Sequence, residues 1–301
     1  QKDDYDIIHL ESLFVTPYLN IIRKNSKAKI IYRSHNLEFE IWEELAAREK
    51  NFFKKKYLGF LSQRIKKYET GILNKFDGIA AISKDNMKKY FDYGCTIPVE
   101  NIPFGINFSE YQNSISAFSS NVAQLQMASL NLFFLGSMDW LPTREALDWF
   151  LENVWNKVQE NNPDLKFKIA GKAMPQKYFR LNVPNIEIPG EVPDAKKFML
   201  ENGIMVVPLL SGSGIRVKII EAMALGKVII ATSLAAKGIG CEHKKNILLC
   251  DSSTEFAEII RLVVCQHDLR KEISCNAQKF AEENYDNRKI TEKLVSFYHK
   301  V

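Results

Sequence analysis

The sequence predicts an α/β protein built from two Rossmann-like, doubly wound parallel-sheet domains. Short apolar runs alternate along the chain with stretches of helical periodicity, as expected for strands joined by crossover helices. The length, 301 residues, is long for one compact core and suits two domains. The runs fall into two series, separated by a polar and poorly periodic segment, 114–129, that we interpret as a linker.

The first series predicts a sheet in domain 1–122. Its strand candidates are 6–10, 29–33, 78–82 and 99–102. Four strands are few for a sheet of this class, which has about six, and the chain begins with Gln1 immediately before a strand-like run. We therefore expect the first domain to be incomplete at its N-terminus.

The second series predicts a complete six-stranded domain over 123–286. The strands are predicted at 131–136, 165–171, 185–190, 203–209, 227–232 and 246–250. Helical periodicity is clearest at 143–160, 195–201, 254–266 and 268–284, and a further helix, 288–300, lies in the closing segment 287–301.

Composition and charge exclude several functional classes. A net charge of +5 is too small to indicate a nucleic-acid partner, and no nucleic-acid-binding module is recognisable. The five cysteines form no CxxC pair, so neither a disulfide framework nor a zinc site is expected. No apolar run approaches the length of about 18 residues that spans a bilayer. A cytoplasmic protein without a bound metal fits these observations.

The stretch SGSGIRVKIIEAMALGK, 211–227, carries the strongest functional signal. It follows a predicted strand and begins a predicted helix. Glycine brings the backbone close to a ligand, and N–H groups at a helix start bind anions. We therefore expect the loop to bind phosphate through Ser211, Gly212, Ser213, Gly214 and Ile215.

Two cations at the start of this helix point to the same ligand. Arg216 and Lys218 would be repelled by the positive end of an empty helix, whereas a diphosphate would hold both. Glu221 lies three residues after Lys218 on the same helix face, where it can accept hydrogen bonds from ribose hydroxyls. The alternative is that Lys218 and Glu221 form a solvated ion pair beside an ordinary loop.

The same stretch resembles the retaining GT-B glycosyltransferases of family 4, the group 1 sugar transferases, whose nucleotide-sugar site commonly reads EAMAxGxPVI. Further segments match the family in its order along essentially the whole chain. In the first domain they are SHNLEFEIWE, AAISKDN and IPFGINFSEY, and in the second LFFLGSMDWLPTREALDWF, IAGKAMP, IPGEVPD and VVPLLSGSG.

The resemblance implies a role for each matching position. Glu221 would bind the ribose, and Lys218 with Arg216 the diphosphate. Other implied positions are Gly136 and Ser137 near the phosphates, Gly190 and Val192 near the base, and His35 facing the donor sugar across a cleft between the domains. The final helix would pack back towards the first domain. His35 also has a simpler interpretation as a structural histidine at the end of a strand.

Three departures from the family pattern affect these expectations. The family's EX7E pattern has a carboxylate where this chain has Ser213, so the donor sugar is left open. The usual Arg and Lys are absent from GSMDWLP, which makes Arg216 their expected substitute. The glycine-rich acceptor loop near the family's N-terminus is also absent.

The resemblance implies a retaining glycosyltransferase of the hexosyltransferase type in polysaccharide or glycolipid assembly. It would transfer sugar from a nucleotide diphosphate sugar to a glycan or lipid-linked acceptor, without a cofactor. No cluster of Asp and His suggests a metal. Two alternatives remain: a fragment that binds nucleotide sugar without catalysis, and a nucleotide-sugar epimerase, for which no clear pair of cleft carboxylates is found.

A basic and aromatic helix is predicted at 48–68, REKNFFKKKYLGFLSQRIKKY. Such a helix can lie on an anionic membrane as a peripheral contact. Alternatively, its aromatic side chains pack into the first domain and its lysines are solvated.

Overall fold

The computed structural model describes residues 4–119, 129–212 and 214–301. The chain forms two compact units, one made of Gln1–Phe104 with Arg288–Val301 and the other of Gly105–Asn287. Each unit contains a parallel sheet of its own. In the described ranges, no helix is both long and apolar enough to cross a membrane.

The first unit is built on four parallel strands in the order β1-β2-β3-β4. The strands lie where the sequence predicts them, at β1 Ile7–Glu11, β2 Lys29–Ser34, β3 Gly78–Ala81 and β4 Val99–Asn101. The connecting helices are α1 Leu19–Asn25, α2 Glu38–Arg48, α3 Phe52–Ile72 and α4 Lys84–Asp92, with short 3-10 turns at Leu13–Tyr18 and Leu73–Lys75.

Both faces of this sheet are covered, as is usual for parallel sheets. Successive residues of β2 point to opposite faces. Ile30 packs with Ile79 in one buried cluster, and Ile31 packs on the other face with Phe297 of the C-terminal helix Asn287–Lys300. That helix therefore covers one face of the first sheet.

The second unit contains six parallel strands. They are β5 Ser129–Leu135, β6 Phe167–Ala170, β7 Ile186–Gly190, β8 Asn202–Val207, β9 Val228–Ala231 and β10 Leu248–Leu249, each at a predicted position. The helices are α5 Phe108–Ser119, α6 Leu141–Phe150, α7 Asn156–Asn161, α8 Gln176–Phe179, α9 Ala195–Leu200, α10 Val217–Ala224, α11 Ser233–Ala236, α12 Ser253–Cys265 and α13 His267–Tyr285. The C-terminal helix Asn287–Lys300 is α14. The helix predicted over 143–160 is formed by α6 and α7 with a π-helical turn, Leu151–Trp155, between them.

The strand order of the second sheet is β10-β9-β8-β5-β6-β7. The chain therefore runs outwards from β5 in one direction, and then returns to add β8 on the other side of β5. This is the order of a doubly wound sheet, and its switch point lies between β5 and β8. Ligands of such sheets bind beyond the carboxyl ends of the strands at the switch point, where the loops 136–140 and 208–216 begin.

The first part of the predicted linker is helical. Residues 114–119 continue α5, whose Phe108 and Tyr111 are buried in the core beneath the second sheet. This burial of apolar side chains explains why the two units divide at 104/105, whereas the sequence predicts the domain boundary at 122/123. The prediction of a linker is therefore wrong for 114–119, and 120–128 lie outside the described residues.

Candidate functional site

Glycines bring the loops at the carboxyl ends of β5, β6 and β7 close together. The N–H of Gly136 donates to the carbonyl of Ala170 over 3.1 Å, and the N–H of Gly171 donates to the carbonyl of Gly190 over 2.8 Å. A Cβ atom on Gly171 would lie 1.8 Å from the carbonyl oxygen of Gly136, so only glycine fits there. Gly136 and Gly190, two predicted donor-binding positions, thus lie at the carboxyl ends of β5 and β7, with Gly171 at the end of β6 between them.

The loop after β8 reaches the same edge of the sheet. Its Ser211 is buried, and the Ser211 hydroxyl donates to Oε2 of Glu145, a residue of α6, over 3.0 Å. Gly212 and Gly214 have φ values of 104° and 87°, which L side chains rarely adopt. Ser213 lies outside the described residues.

The remaining predicted donor-binding residues lie at the same edge. Ile215 and Val192 are partly buried against the main core cluster of the second unit, so they anchor the loops in which they occur. The carbonyl of Ser137 accepts the N–H of Trp140 over 3.4 Å, in the turn that leads from β5 to α6. The predicted residues of the second unit that the structure describes therefore lie at the carboxyl end of the sheet, with Gly136, Ser137 and 211–221 at the switch point and Gly190 and Val192 after β7.

Arg216 is the N-cap residue of α10 and supplies no side-chain cap. Its Nη1 atom donates to the carbonyl of Gly214 over 2.8 Å. The guanidinium carbon lies 4.9 Å from the centre of the Trp140 ring, within the range of a cation–π interaction. Arg216 is thus held by the loop before its helix and by the β5–α6 turn.

Lys218 and Glu221 form the expected pair on one face of α10. The Lys218 Nζ atom lies 3.4 Å from Oε2 of Glu221, while Oε1 of the same carboxylate accepts the hydroxyl of Tyr111 over 2.9 Å. The side chain of Glu221 is 21% exposed, so it is more than a solvated partner of the lysine. Burial, and then the negative charge of Glu221, raise the pKa of Tyr111, which keeps its hydroxyl a proton donor at neutral pH.

Both cations at the start of α10 therefore have partners within the second unit. The expectation that a bound diphosphate makes both cations favourable at this helix start stays a prediction. Stacking on an indole and an ion pair with a carboxylate offset part of the repulsion by the helix dipole. A ligand anion would add to these partners.

His35 lies in the first unit, directly after β2. Its Nε2 atom is 2.7 Å from Oε2 of Glu11, and both side chains are substantially exposed. The segment that follows, the start of α2, is anchored to α3. The N–H groups of Glu38 and Phe39 both donate to the carboxylate of Glu69, over 3.3 Å each. Glu69 is fully buried, and this burial raises its pKa to about 7.

The basic and aromatic helix predicted at 48–68 begins only at Phe52, because Arg48 ends α2 and Asn51 caps α3. The first half of α3 is exposed. Phe53 is 81% exposed and Tyr57 is 64% exposed. The alternative in which these aromatic side chains pack into the first domain is therefore wrong for four of them, Phe52, Phe53, Tyr57 and Phe60. The reason is that the buried side chains of α3, Ser62, Glu69 and Ile72, all lie in its second half.

Sequence reasoning did not find three residues of the site: Tyr111, Trp140 and Glu145. Tyr111 and Trp140 stand inside the quoted motifs IPFGINFSEY and GSMDWLP, but neither motif signals the contact that its residue makes with α10. Glu145 stands in the quoted segment LFFLGSMDWLPTREALDWF, which likewise gives no signal of its contact with Ser211. In the part of the chain that the structure describes, no group of three or more His, Cys, Asp or Glu could hold a metal ion.

A doubly wound sheet with glycine loops at its switch point and a helix starting there is the architecture of nucleotide-binding α/β proteins. Comparisons with known proteins narrow this class. Residues 129–265 match the family described as "Glycosyl transferases group 1". A Klebsiella pneumoniae protein described as "Uncharacterized 44.6 kDa protein in cps region" is 27% identical over 295 residues, covering 95% of this chain and 72% of that protein.

Solved structures with low sequence identity share the fold. Anabaena Alr3699/HepE in complex with UDP and glucose has a TM-score of 0.67 at 17% identity, covering 99% of this chain and 78% of that one. Sucrose-phosphate synthase from Thermosynechococcus elongatus has a TM-score of 0.67 at 15% identity, covering 98% and 73%. These neighbours show that the fold is GT-B. The match of residues 129–265 to the group 1 family indicates a glycosyltransferase.

Proposed function

We propose that this protein is a retaining glycosyltransferase of family 4 that moves a sugar from a nucleotide diphosphate sugar to a glycan or lipid-linked acceptor. The observation that carries the proposal is the start of α10. There, Arg216 and Lys218 lie next to two glycines in left-handed conformation, at the switch point of the sheet. Glu221 is held by Tyr111 one turn further on, in position to accept hydrogen bonds from a ribose.

The chemistry requires stabilisation of a leaving diphosphate. The anomeric C–O bond breaks through an oxocarbenium-like state, and negative charge accumulates on the phosphate oxygen that leaves. Preorganised N–H groups and cations directed at that charge are the main source of rate acceleration. The acceptor oxygen forms the new bond on the face from which the diphosphate departs, and the leaving phosphate takes the acceptor proton. Attack on the same face retains the configuration at the anomeric carbon.

His35 has a separate place in the proposal. Its role towards the donor sugar rests on the resemblance of SHNLEFEIWE to the family signature. The hydrogen bond to Glu11 and the anchoring of the following segment by Glu69 support a defined orientation of this histidine. The alternative is that His35 is a structural histidine. The two roles are separated by measuring turnover and donor affinity in His35→Ala, because loss of a catalytic group lowers turnover more than affinity.

The donor is tested by thermal shift with UDP-, GDP-, ADP- and CMP-sugars. A ligand that binds only the native state raises the melting temperature, by an amount that grows with ligand concentration over Kd. UDP-glucose is the first donor to try, because the fold neighbour from Anabaena was solved with UDP and glucose. We expect one nucleotide class to stabilise the chain, and no stabilisation by any of them would contradict the proposal.

The enzyme is separated from the two alternatives by its products. Incubation with the stabilising donor, with and without candidate glycan and lipid-linked acceptors, should release nucleoside diphosphate and transfer the sugar with its anomeric configuration retained. Binding without release would identify a nucleotide-sugar-binding fragment. Conversion of the donor into its sugar epimer would identify an epimerase of the same fold.

We also propose that the first half of α3 is a peripheral membrane contact, on the cytoplasmic face of the membrane. Exposed aromatic rings beside Lys50, Lys54, Lys55 and Lys56 suit an anionic bilayer, which attracts each nearby cation by about 1 kcal/mol. A lipid-linked acceptor in polysaccharide assembly would be presented at such a surface.

Vesicle flotation tests this contact. The chain should float with vesicles containing phosphatidylserine at low salt, and much less with neutral vesicles or at high salt. Replacing Lys54, Lys55 and Lys56 with Gln, or Phe53 and Tyr57 with Ser, should abolish flotation. A matched pair of surface lysines in the other unit, Lys244 and Lys245, serves as the control. Flotation that is unchanged by the α3 substitutions would refute the contact.

A further inference from the structure

The contact between Trp140 and Arg216 is not predicted from the sequence. Trp140 is the N-cap residue of α6, and Arg216 is the N-cap residue of α10. These helices follow β5 and β8, the two strands on either side of the switch point. The guanidinium carbon of Arg216 lies 4.9 Å from the centre of the Trp140 ring. The two halves of the doubly wound sheet are thus joined at their ligand-binding edge by this stack.

Gly212 shows how closely the stack is fitted to the loop. A Cβ atom at this position would lie 2.7 Å from Cη2 of Trp140 and 3.0 Å from Nη2 of Arg216. Its φ of 104° also disfavours any other residue. The loop therefore passes directly beside both the indole and the guanidinium, and no side chain separates them.

The stack answers an electrostatic problem at the start of α10. A cation at a helix N-terminus is repelled by the helix dipole, so a flexible arginine there would turn away into solvent. The negative face of the indole attracts the guanidinium, and the carbonyl of Gly214 accepts a hydrogen bond from its Nη1 atom over 2.8 Å. Together they fix the direction of the guanidinium plane before any ligand binds.

We propose that Trp140 is a positioning residue for Arg216, holding its guanidinium ready for the phosphate oxygens of the donor. This inference rests on the proposed function of the α10 start as a diphosphate site. Trp140 acts through Arg216 and not by contact with the base or the sugar. Its exposed fraction, 40%, gives solvent access to the stack. Preorganisation of this kind lowers the entropic cost of binding.

The experiment measures nucleotide affinity in a double-mutant cycle. Isothermal titration calorimetry with UDP, GDP, ADP and CDP first identifies which of these the wild-type chain binds. If none of them binds, the proposed function fails, independently of Trp140. With the nucleotide that binds, Trp140→Leu should weaken affinity about five- to tenfold, the range of a cation–π contact. Trp140→Phe, which keeps an aromatic ring, should recover most of the loss.

The coupling to Arg216 distinguishes positioning from direct contact. In the Arg216→Gln background, Trp140→Leu should have little further effect, because the group that it positions is gone. The corresponding nucleoside, which lacks phosphate, should bind wild type and Trp140→Leu equally. Leu141→Ala, at the neighbouring exposed position, should bind like wild type.

Three results would overturn the inference. The first is an unchanged nucleotide affinity in Trp140→Leu. The second is an equal loss in the presence and absence of Arg216, and the third is an equal loss for the nucleoside, which would assign Trp140 to the base. Melting temperatures of all variants, measured without ligand, show that the affinities refer to folded protein.

Discussion

The starts of α2 and α10 meet the same physical requirement in opposite ways. Each leaves N–H groups and a partial positive charge at its first turn. In α2, the buried carboxylate of Glu69 accepts the N–H groups of Glu38 and Phe39. In α10, the N-cap residue Arg216 supplies no side-chain cap, and Lys218 adds a second cation. The first N–H groups of α2 are satisfied by a carboxylate of the protein itself, whereas the start of α10 is suited to a bound anion.

The difference separates a structural helix start from the ligand site that we propose at α10. An internal acid accepts the first N–H groups whether or not a ligand is present, at the expense of a buried ionisable group whose pKa is raised. A start with cations instead depends on neighbours that hold those cations until a ligand arrives. Trp140 and Glu221 do this for α10. Substitutions at the two starts should therefore affect different properties: turnover and ligand affinity at α10, and stability at α2.

The largest effect is expected for Lys218→Ala. Removing one donor directed at the charge that develops in the transition state typically costs about 2.7–4 kcal/mol, or 100- to 1,000-fold in turnover. We expect a loss of this size in release of nucleoside diphosphate from the donor identified by thermal shift. The melting temperature without ligand should change little, because the Lys218 side chain is 45% exposed.

A second ion pair of the same spacing supplies the control. Lys245 lies 2.9 Å from Glu242, also three residues apart and in the same unit, but away from the α10 start in sequence. Lys245→Ala should leave turnover unchanged, since exposed pairs contribute little. Near-normal turnover in Lys218→Ala would contradict the proposal that the start of α10, unlike that of α2, acts on a ligand.

The second prediction concerns the pH dependence of stability at α2. The pKa of Glu69 is raised by burial to about 7, from an ordinary value of 4.5. The folded state therefore binds the proton more tightly than the unfolded state, and this contribution to stability is lost as pH rises from about 4.5 through 7. The loss is on the order of 3 kcal/mol. Glu69→Gln should flatten this part of the profile of unfolding free energy against pH.

Ser62→Ala is the matched control for Glu69→Gln. Ser62 is also fully buried on α3 and bonds to the backbone of Phe39, donating to its carbonyl over 3.2 Å, but it does not titrate. Its substitution should lower the unfolding free energy by a similar amount at pH 5 and pH 8. Urea denaturation at both pH values measures each variant against wild type. A wild-type profile parallel to that of Glu69→Gln would contradict the assignment.

The sequence predicts the framework well because strands of parallel sheets have a strong local signal. The ten strands of the described residues lie at the predicted positions, for example 203–209 for β8 and 227–232 for β9. The predicted linker fails at 114–119 although Phe108, Tyr111, Ile115 and Phe118 recur at helical spacing, because the many polar residues of 114–129 obscure that period. The helical state of α5 depends on burial of Phe108 and Tyr111 against distant parts of the chain.

The site is only partly predictable for the same physical reason. The glycines and cations of 211–218 are adjacent in sequence, so their chemistry can be read locally. Two further contacts are not local, because Trp140 lies 76 positions before Arg216 and Tyr111 lies 110 positions before Glu221. A pairing across such distances is set by the strand order, which a single sequence does not specify.

A smaller effect is expected for Tyr111→Phe. The substitution removes the hydroxyl that donates to Oε1 of Glu221 over 2.9 Å, and keeps the ring against which Lys196 lies at 4.6 Å. A single hydrogen bond contributes about 1 kcal/mol net, so nucleotide affinity should fall about fivefold. Calorimetry with the bound nucleotide measures the change. An unchanged Kd, alongside a large loss in Glu221→Gln, would show that Tyr111 does not orient the carboxylate.

The smallest effect is expected for Lys55→Gln at the start of α3. This helix also begins with cations, but Asn51 caps it by accepting the N–H of Lys54 over 3.1 Å, and the Lys55 side chain is exposed. We expect a change in unfolding free energy within about 0.5 kcal/mol, and no change in the thermal shift produced by nucleotide. If Lys55→Gln reduced that thermal shift as Lys218→Ala does, cations near any helix start would be sufficient for nucleotide binding. The glycine loop and the stacked arginine of α10 would then not be needed to explain it.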